Sequence, residues 1–167
     1  MNKKETEVIL QRIENWYNRI QDLFIYDQKV FQAEYGWSKE PVSFNDRLSL
    51  DYKPIKEGEP WGGKWESAWF HLTGKVPQEW TGKTVYGDLD FSGEGLVFDN
   101  RGIAMQGITN ASIWDSNFAR TRVPLIDACN GGDDIDIWVE AAANSLFGVF
   151  TDPDPAENSP KRYGWFD

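Results

Sequence analysis

Proline and glycine interrupt the chain so often after Gly36 that a long helix cannot form in the segment that follows. Proline removes a backbone donor and clashes with the preceding helical turn, and both residue types favour turns. The interruptions are Pro41, Pro54, Gly58, Pro60, Gly62 and Gly63. This segment must therefore fold from short extended pieces joined by turns.

Beyond these interruptions, apolar and polar residues alternate with a period of two. The alternation is clearest over residues 68–73 and 85–91. It indicates half-buried β-strands, because successive side chains of a strand point to opposite faces of the sheet. Further strands are predicted over 95–98, 103–107, 120–125, 135–142 and 147–150. Short strands at this spacing are typical of an antiparallel β-sandwich or jelly roll.

The N-terminal segment has a helical period instead. Its apolar residues follow one another in steps of four and three: Ile9, Ile13, Trp16, Ile20 and Leu23. This spacing places them on one stripe of an α-helix, which we predict from about residue 5 to residue 22. The apolar residues that continue to Gly36 fit either a second short helix or a bent continuation of the first.

The charge of the chain disfavours two classes of partner. Its 27 acidic and 17 basic residues give a formal net charge of −10. Such a charge repels nucleic-acid phosphates and anionic lipid headgroups. No apolar run reaches the roughly 20 residues that a membrane-spanning helix needs. We therefore expect neither nucleic acid nor a membrane as a partner.

Cysteine and histidine are too scarce for several kinds of chemistry. Cys129 is the only cysteine and His71 the only histidine. An internal disulfide and a zinc cluster of Cys and His ligands are both excluded. No metal is assigned to this chain, and structural calcium at clustered aspartates in its turns stays an open alternative. His71 lies in a predicted strand, opposite in direction to Phe70 and Leu72, where a sheet-surface or hydrogen-bonded role is favoured over that of a general base.

Two carboxylates and three tryptophans are the remaining candidates for a site. Glycosidases need two carboxylates about 5 to 10 Å apart, and Glu94 and Glu140 are the least ordinary acids because small or apolar residues flank them. Trp61, Trp65 and Trp69 recur at every fourth residue, and exposed indole rings can hold sugar rings. For the tryptophans, packing in the core or between domains is the favoured interpretation. For the two acids, a structural or solvent-exposed role is the favoured interpretation.

Four blocks of sequence resemble the N-terminal domain of glycoside hydrolase family 38 α-mannosidases of the cytosolic, bacterial type. They are PWGGKWESAWF (60–70), VPQEWTGK (76–83), LDFSGEGLVFDNRGIAMQGI (89–108) and VEAAANSLFG (139–148). The last two blocks add Gln106 and Asn144 to the candidate residues for carbohydrate or interdomain contact. The resemblance implies a mainly β fold, a galactose-binding-like jelly roll preceded by an N-terminal α-helix.

The resemblance also implies a domain organisation and a location. We expect a helical segment over residues 1–36 that packs on the sandwich, the β-sandwich over 37–152, and a segment over 153–167 that leads to a catalytic domain. In this family that catalytic domain holds zinc with two His and two Asp and hydrolyses α-mannosides with retention. None of these ligands matches a position here, so the zinc site is expected beyond Asp167. A cytoplasmic location is implied.

Two functional hypotheses follow from these observations. In the first, the chain is a non-catalytic domain of an α-mannosidase that supports its own catalytic domain or the substrate entrance. In the second, it is a carbohydrate-binding module with a tryptophan platform. The expected partners are the parent's catalytic domain, a mannose-containing oligosaccharide and, through the helix and the aromatic surface, a second copy of the chain.

Overall fold

The computed structural model of the chain describes residues 3–25, 27–63, 65–109, 119–143 and 165–166. It divides into two compact units, residues 1–30 and 31–167. The first unit contains helix α1 (Lys3–Phe24), which confirms the predicted helix and extends it by two residues at each end. Four residues of the apolar stripe are exposed on this helix, Ile9, Ile13, Trp16 and Ile20, with Ile13 and Trp16 at 60 % and 62 % exposure. Within the described residues, no helix is both long and apolar enough to cross a membrane.

The second unit is built from short strands, and the mainly β fold is confirmed. The strands are β1 (Gln32–Ser38), β2 (Tyr52–Pro54), β3 (Glu59–Pro60), β4 (Ser67–Lys75), β5 (Val85–Asp88), β6 (Glu94–Asp99), β7 (Ala104–Thr109), β8 (Arg122–Ile126), β9 (Asp134–Ala142) and β10 (Trp165–Phe166). Two short 3-10 helices, Phe44–Ser49 and Gln78–Trp80, lie between strands. The strand predicted over 147–150 lies outside the described residues.

The strands form antiparallel sheets. The largest has six strands in the order β2-β1-β4-β9-β6-β7, while β5 pairs with β8 and β3 pairs with β10. Strand β1 begins at Gln32, so residues 32–36 belong to the sheet, although the sequence places them in the helical segment. The reason is visible in their alternation, because Tyr35 points into the core, whereas Glu34 lies on the other face of the strand and is partly exposed.

Apolar side chains from the six-stranded sheet and from the β5–β8 sheet meet in one core. Phe70, at the centre of β4, is fully buried. Its ring lies 5.5 Å from Tyr35, 5.2 Å from Trp61 and 4.5 Å from Phe91, measured between ring centres. The smaller sheet contributes buried valines to the same cluster, Val85 and Val123. This is the packing that the alternation over 68–73 and 85–91 predicts.

The opposite face of the six-stranded sheet is partly covered by the 3-10 helix Phe44–Ser49. The guanidinium of Arg47 lies 3.6 Å from the ring centre of Phe44 and 4.3 Å from that of Trp138 in β9. The ring of His71 stacks on Trp138 at 4.0 Å and 6°. Cation–π and stacking contacts of this kind each contribute about 0.5 to 2 kcal/mol. The contact between Arg47 and Trp138 attaches the 3-10 helix to the outer face of the sheet.

Candidate functional site

Trp61 and Trp69 are almost fully buried. Their exposed fractions are 3 % and 1 %. The indole Nε1 of Trp61 donates a hydrogen bond to the Phe91 carbonyl at 3.2 Å, and that of Trp69 donates to the Val42 carbonyl at 2.8 Å. Both rings therefore pack within the domain, and their indole donors are used there.

Trp65 is the member of the series that stays at the surface. Its side chain is 48 % exposed, and its backbone has a positive φ of 65°. The backbone N–H of Trp65 donates to the Ala143 carbonyl at 2.9 Å, which fixes the turn before β4. The three tryptophans are therefore not one platform, because a strand and a turn send residues at this spacing in different directions.

Glu94 and Glu140 lie on the same face of neighbouring strands. Leu96 is directly opposite Glu140 and Ala142 is directly opposite Glu94, which makes the two acids diagonal neighbours. The Cα atoms of such diagonal neighbours are about 7 to 8 Å apart. Partial burial raises the pKa of the Glu140 carboxyl, whereas Glu94 is exposed. Unequal environments of this kind occur in glycosidase carboxylate pairs, but neither Glu94 nor Glu140 lines either of the two best-formed depressions of the described residues.

Gln106 connects the two sheets. Its side-chain amide donates from Nε2 to the Arg122 carbonyl of β8 at 2.8 Å. The backbones of Thr109 and Arg120 exchange two hydrogen bonds at the same edge, at 3.1 and 2.8 Å. Gln106 therefore has a structural contact that accounts for its position. Asn144, the last candidate, lies outside the described residues.

The residues that the structure describes do not fit the zinc ion implied by the resemblance. They contain no group of three or more His, Cys, Asp or Glu side chains placed to hold a metal. His71 has its Nδ1 3.2 Å from Glu34 Oε1 and its Nε2 2.9 Å from Asp136 Oδ1, so both nitrogens already have carboxylate partners. The imidazole bridges three neighbouring strands, β1, β4 and β9, in an arrangement that stabilises the sheet.

A surface depression that the sequence does not predict lies at the β1–β2 edge of the large sheet. It has a volume of about 300 Å³ and is lined by Tyr35, Trp37, Lys53, Pro60, Trp61, Gly62, Gly63 and Glu66. Lys53 is the register partner of Tyr35, and Trp37 is the partner of the buried Ala68, so these side chains share the core-facing side of the sheet. Trp37 is 47 % exposed at this edge.

Glu66 is hydrogen-bonded to two other residues that line the depression. Its Oε2 accepts one hydrogen bond from the indole Nε1 of Trp37 at 2.7 Å and a second from the backbone N–H of Gly63 at 2.7 Å. The absence of a side chain at Gly63 permits this approach, because a Cβ there would lie 3.1 Å from Oε2. The ammonium of Lys53 lies 4.9 Å from the ring centre of Tyr35. One carboxylate and one ammonium therefore line a depression with an exposed indole.

The antiparallel sheets described above are those of a mainly β domain. Residues 28–163 match the family described as the Ams1-like alpha-mannosidase jelly roll domain, so the chain belongs to that family. The chain is 30 % identical over 160 residues to alpha-mannosidase G of Dictyostelium discoideum, and 28 % identical over 123 residues to alpha-mannosidase 2C1 of Homo sapiens. These matches confirm the resemblance seen in the sequence.

The matches cover most of this chain and a small part of each relative. The alignment with the Dictyostelium protein spans 89 % of this chain and 14 % of that protein. The alignment with the human protein spans 70 % of this chain and 11 % of that protein. The chain therefore corresponds to one jelly-roll domain of much longer α-mannosidases.

Proposed function

We propose that this chain is the non-catalytic jelly-roll domain of a cytoplasmic α-mannosidase and supports the domain that cleaves α-mannosides. The observation that carries the proposal is the family match over residues 28–163, together with the small share of each relative that the chain spans. In the parent enzyme, zinc and its ligands would belong to sequence outside this domain.

The described geometry supports a scaffolding role. Two of the three candidate tryptophans are used inside the domain, and Gln106 joins its two sheets. The apolar stripe of helix α1 is exposed and is a suitable surface for contact with a second copy or with the parent's catalytic domain. Neither role requires a catalytic group in this chain.

An activity assay tests the proposal. The purified chain, incubated with an aryl α-mannoside and zinc or cobalt, should show no turnover above the protein-free rate. Glu94→Gln and Glu140→Gln are the matched variants, because these two acids are the candidate carboxylates and lie on the same face of neighbouring strands. Turnover that disappears in either variant would mean that the chain is itself a hydrolase. Light scattering of the same sample over a range of concentrations tests self-association, and a monomer throughout would remove the second copy from the proposal.

A further inference from the structure

The depression at the β1–β2 edge combines an exposed aromatic face with fixed polar atoms. The indole of Trp37 cannot turn freely, because its only donor, Nε1, is bonded to Glu66. What it presents to solvent is therefore its apolar face, in a defined orientation. A preorganised aromatic face loses little conformational entropy when a ligand stacks on it.

The polar groups beside Trp37 suit hydroxyl groups better than ionic ligands. Glu66 accepts both of its hydrogen bonds at Oε2, and within the described part of the chain no donor bonds to Oε1. This oxygen can accept from a ligand hydroxyl, and the Lys53 ammonium can donate to one. Because the carboxylate and the ammonium cancel in charge, the lining favours a neutral ligand over an anion.

The size and chemistry of the depression select one kind of ligand. A volume of about 300 Å³ is at the lower end for ligand sites and suits a single ring. A pyranose ring offers an apolar C–H face for the indole, and hydroxyls at its rim for the carboxylate and the ammonium.

We propose that this depression binds one neutral hexopyranose ring, stacked on Trp37, with hydroxyls bonded to Glu66 Oε1 and Lys53 Nζ. Of the three tryptophans that the sequence marks as candidates, only Trp61 lines the depression, and its side chain is 3 % exposed. The sugar site goes beyond the scaffolding role proposed above. The scaffolding role does not depend on it, because the activity assay and the binding assay have independent outcomes.

Titration with methyl α-D-mannopyranoside, followed by two-dimensional ¹H–¹⁵N NMR of the indole N–H signals, tests the proposal. The signal absent from Trp37→Ala identifies Trp37. We expect saturable shifts of this signal, and a loss of affinity of about tenfold or more in Trp37→Ala by calorimetry. Trp65→Ala is the matched control, because its indole is equally exposed but does not line the depression, and its affinity should stay within about twofold.

Two further variants test the role of Glu66 without removing the ring. Glu66→Gln keeps the size of the side chain but replaces one carboxylate oxygen by an amide nitrogen, and Gly63→Ala pushes the carboxylate away from its backbone donor. Both should weaken binding while far-UV circular dichroism stays unchanged. Inorganic phosphate is the control for charge and should not shift the Trp37 signal.

Three outcomes would overturn the sugar site. The first is the absence of saturable shifts at Trp37 up to the solubility of the sugar. The second is an equal affinity in the wild type and in Trp37→Ala. The third is a response of Trp37 to phosphate and not to the sugar.

Discussion

Replacing Trp69 by alanine should remove most of the free energy of unfolding of the protein. The sequence alone does not distinguish Trp69 from Trp65. Trp69 is 1 % exposed and contacts the rings of Phe44 and Phe98 at 5.6 and 5.3 Å. Truncating a buried tryptophan costs about 3 to 5 kcal/mol. The Val42 carbonyl also loses its indole donor, which adds about 1 kcal/mol. The sum, about 4 to 6 kcal/mol, approaches the total stability of many domains.

Urea unfolding followed by far-UV circular dichroism measures this loss. Fluorescence is less suitable, because the chain has nine tryptophans. Trp69→Phe keeps the ring contacts but not the hydrogen bond and should lose about 1 to 3 kcal/mol, which stays measurable if the alanine variant is unfolded without urea. Trp65→Ala removes an exposed ring and should change the free energy of unfolding by less than about 0.5 kcal/mol.

The comparison between the two positions is what can refute this reasoning. If Trp69→Ala costs less than about 1.5 kcal/mol, the buried ring and its hydrogen bond do not contribute as argued. Equal losses at Trp65 and Trp69 would mean that the outer face of β4 is not covered by the segment that contains Val42 and Phe44.

Gly102→Ala should destabilise the protein by about 2 to 4 kcal/mol in urea unfolding, because the residue has a φ of +84° and a Cβ would lie 2.7 Å from the Phe44 ring. Gly58→Ala is the control for the backbone cost alone, at about 1 to 2 kcal/mol, since it has a φ of +80° and open space around it; equal losses would refute the clash. Burial raises the pKa of Tyr52 to about 12, against an ordinary value of 10.0. Between these values the unfolded chain loses the proton first, so this contribution to stability is complete below pH 10 and is lost as the pH rises towards 12. Two pKa units correspond to about 2.7 kcal/mol, which partial exposure reduces to about 1 to 2 kcal/mol. Tyr52→Phe should therefore lose less stability than the wild type between pH 9 and pH 11 in urea unfolding, and parallel pH profiles would contradict this.

The candidate site shows what sequence spacing cannot supply. Trp37 and Glu66 are 29 positions apart and meet only because β1 pairs with β4 and the turn before β4 folds back on β1. The sequence places the end of the helical segment beside Trp37, so nothing local marks this residue as part of a site. Glu66 lies between Trp65 and Trp69, two of the tryptophans that the sequence marks as candidates. One of its hydrogen-bond donors, Gly63, is three residues away, but the other, Trp37, belongs to β1.

The sequence by itself determined the period of each segment, and with it the helix, most strands and which side chains share a face. These are local properties, since the backbone geometry of a helix or strand fixes the direction of successive side chains. It also carried the family resemblance. Only the tertiary structure decided which faces are covered. Phe70 and Trp69 point to opposite faces, as the alternation requires, yet both are buried, because the 3-10 helix that contains Phe44 covers the outer face. Coverage depends on contacts between distant segments, and no local pattern encodes them.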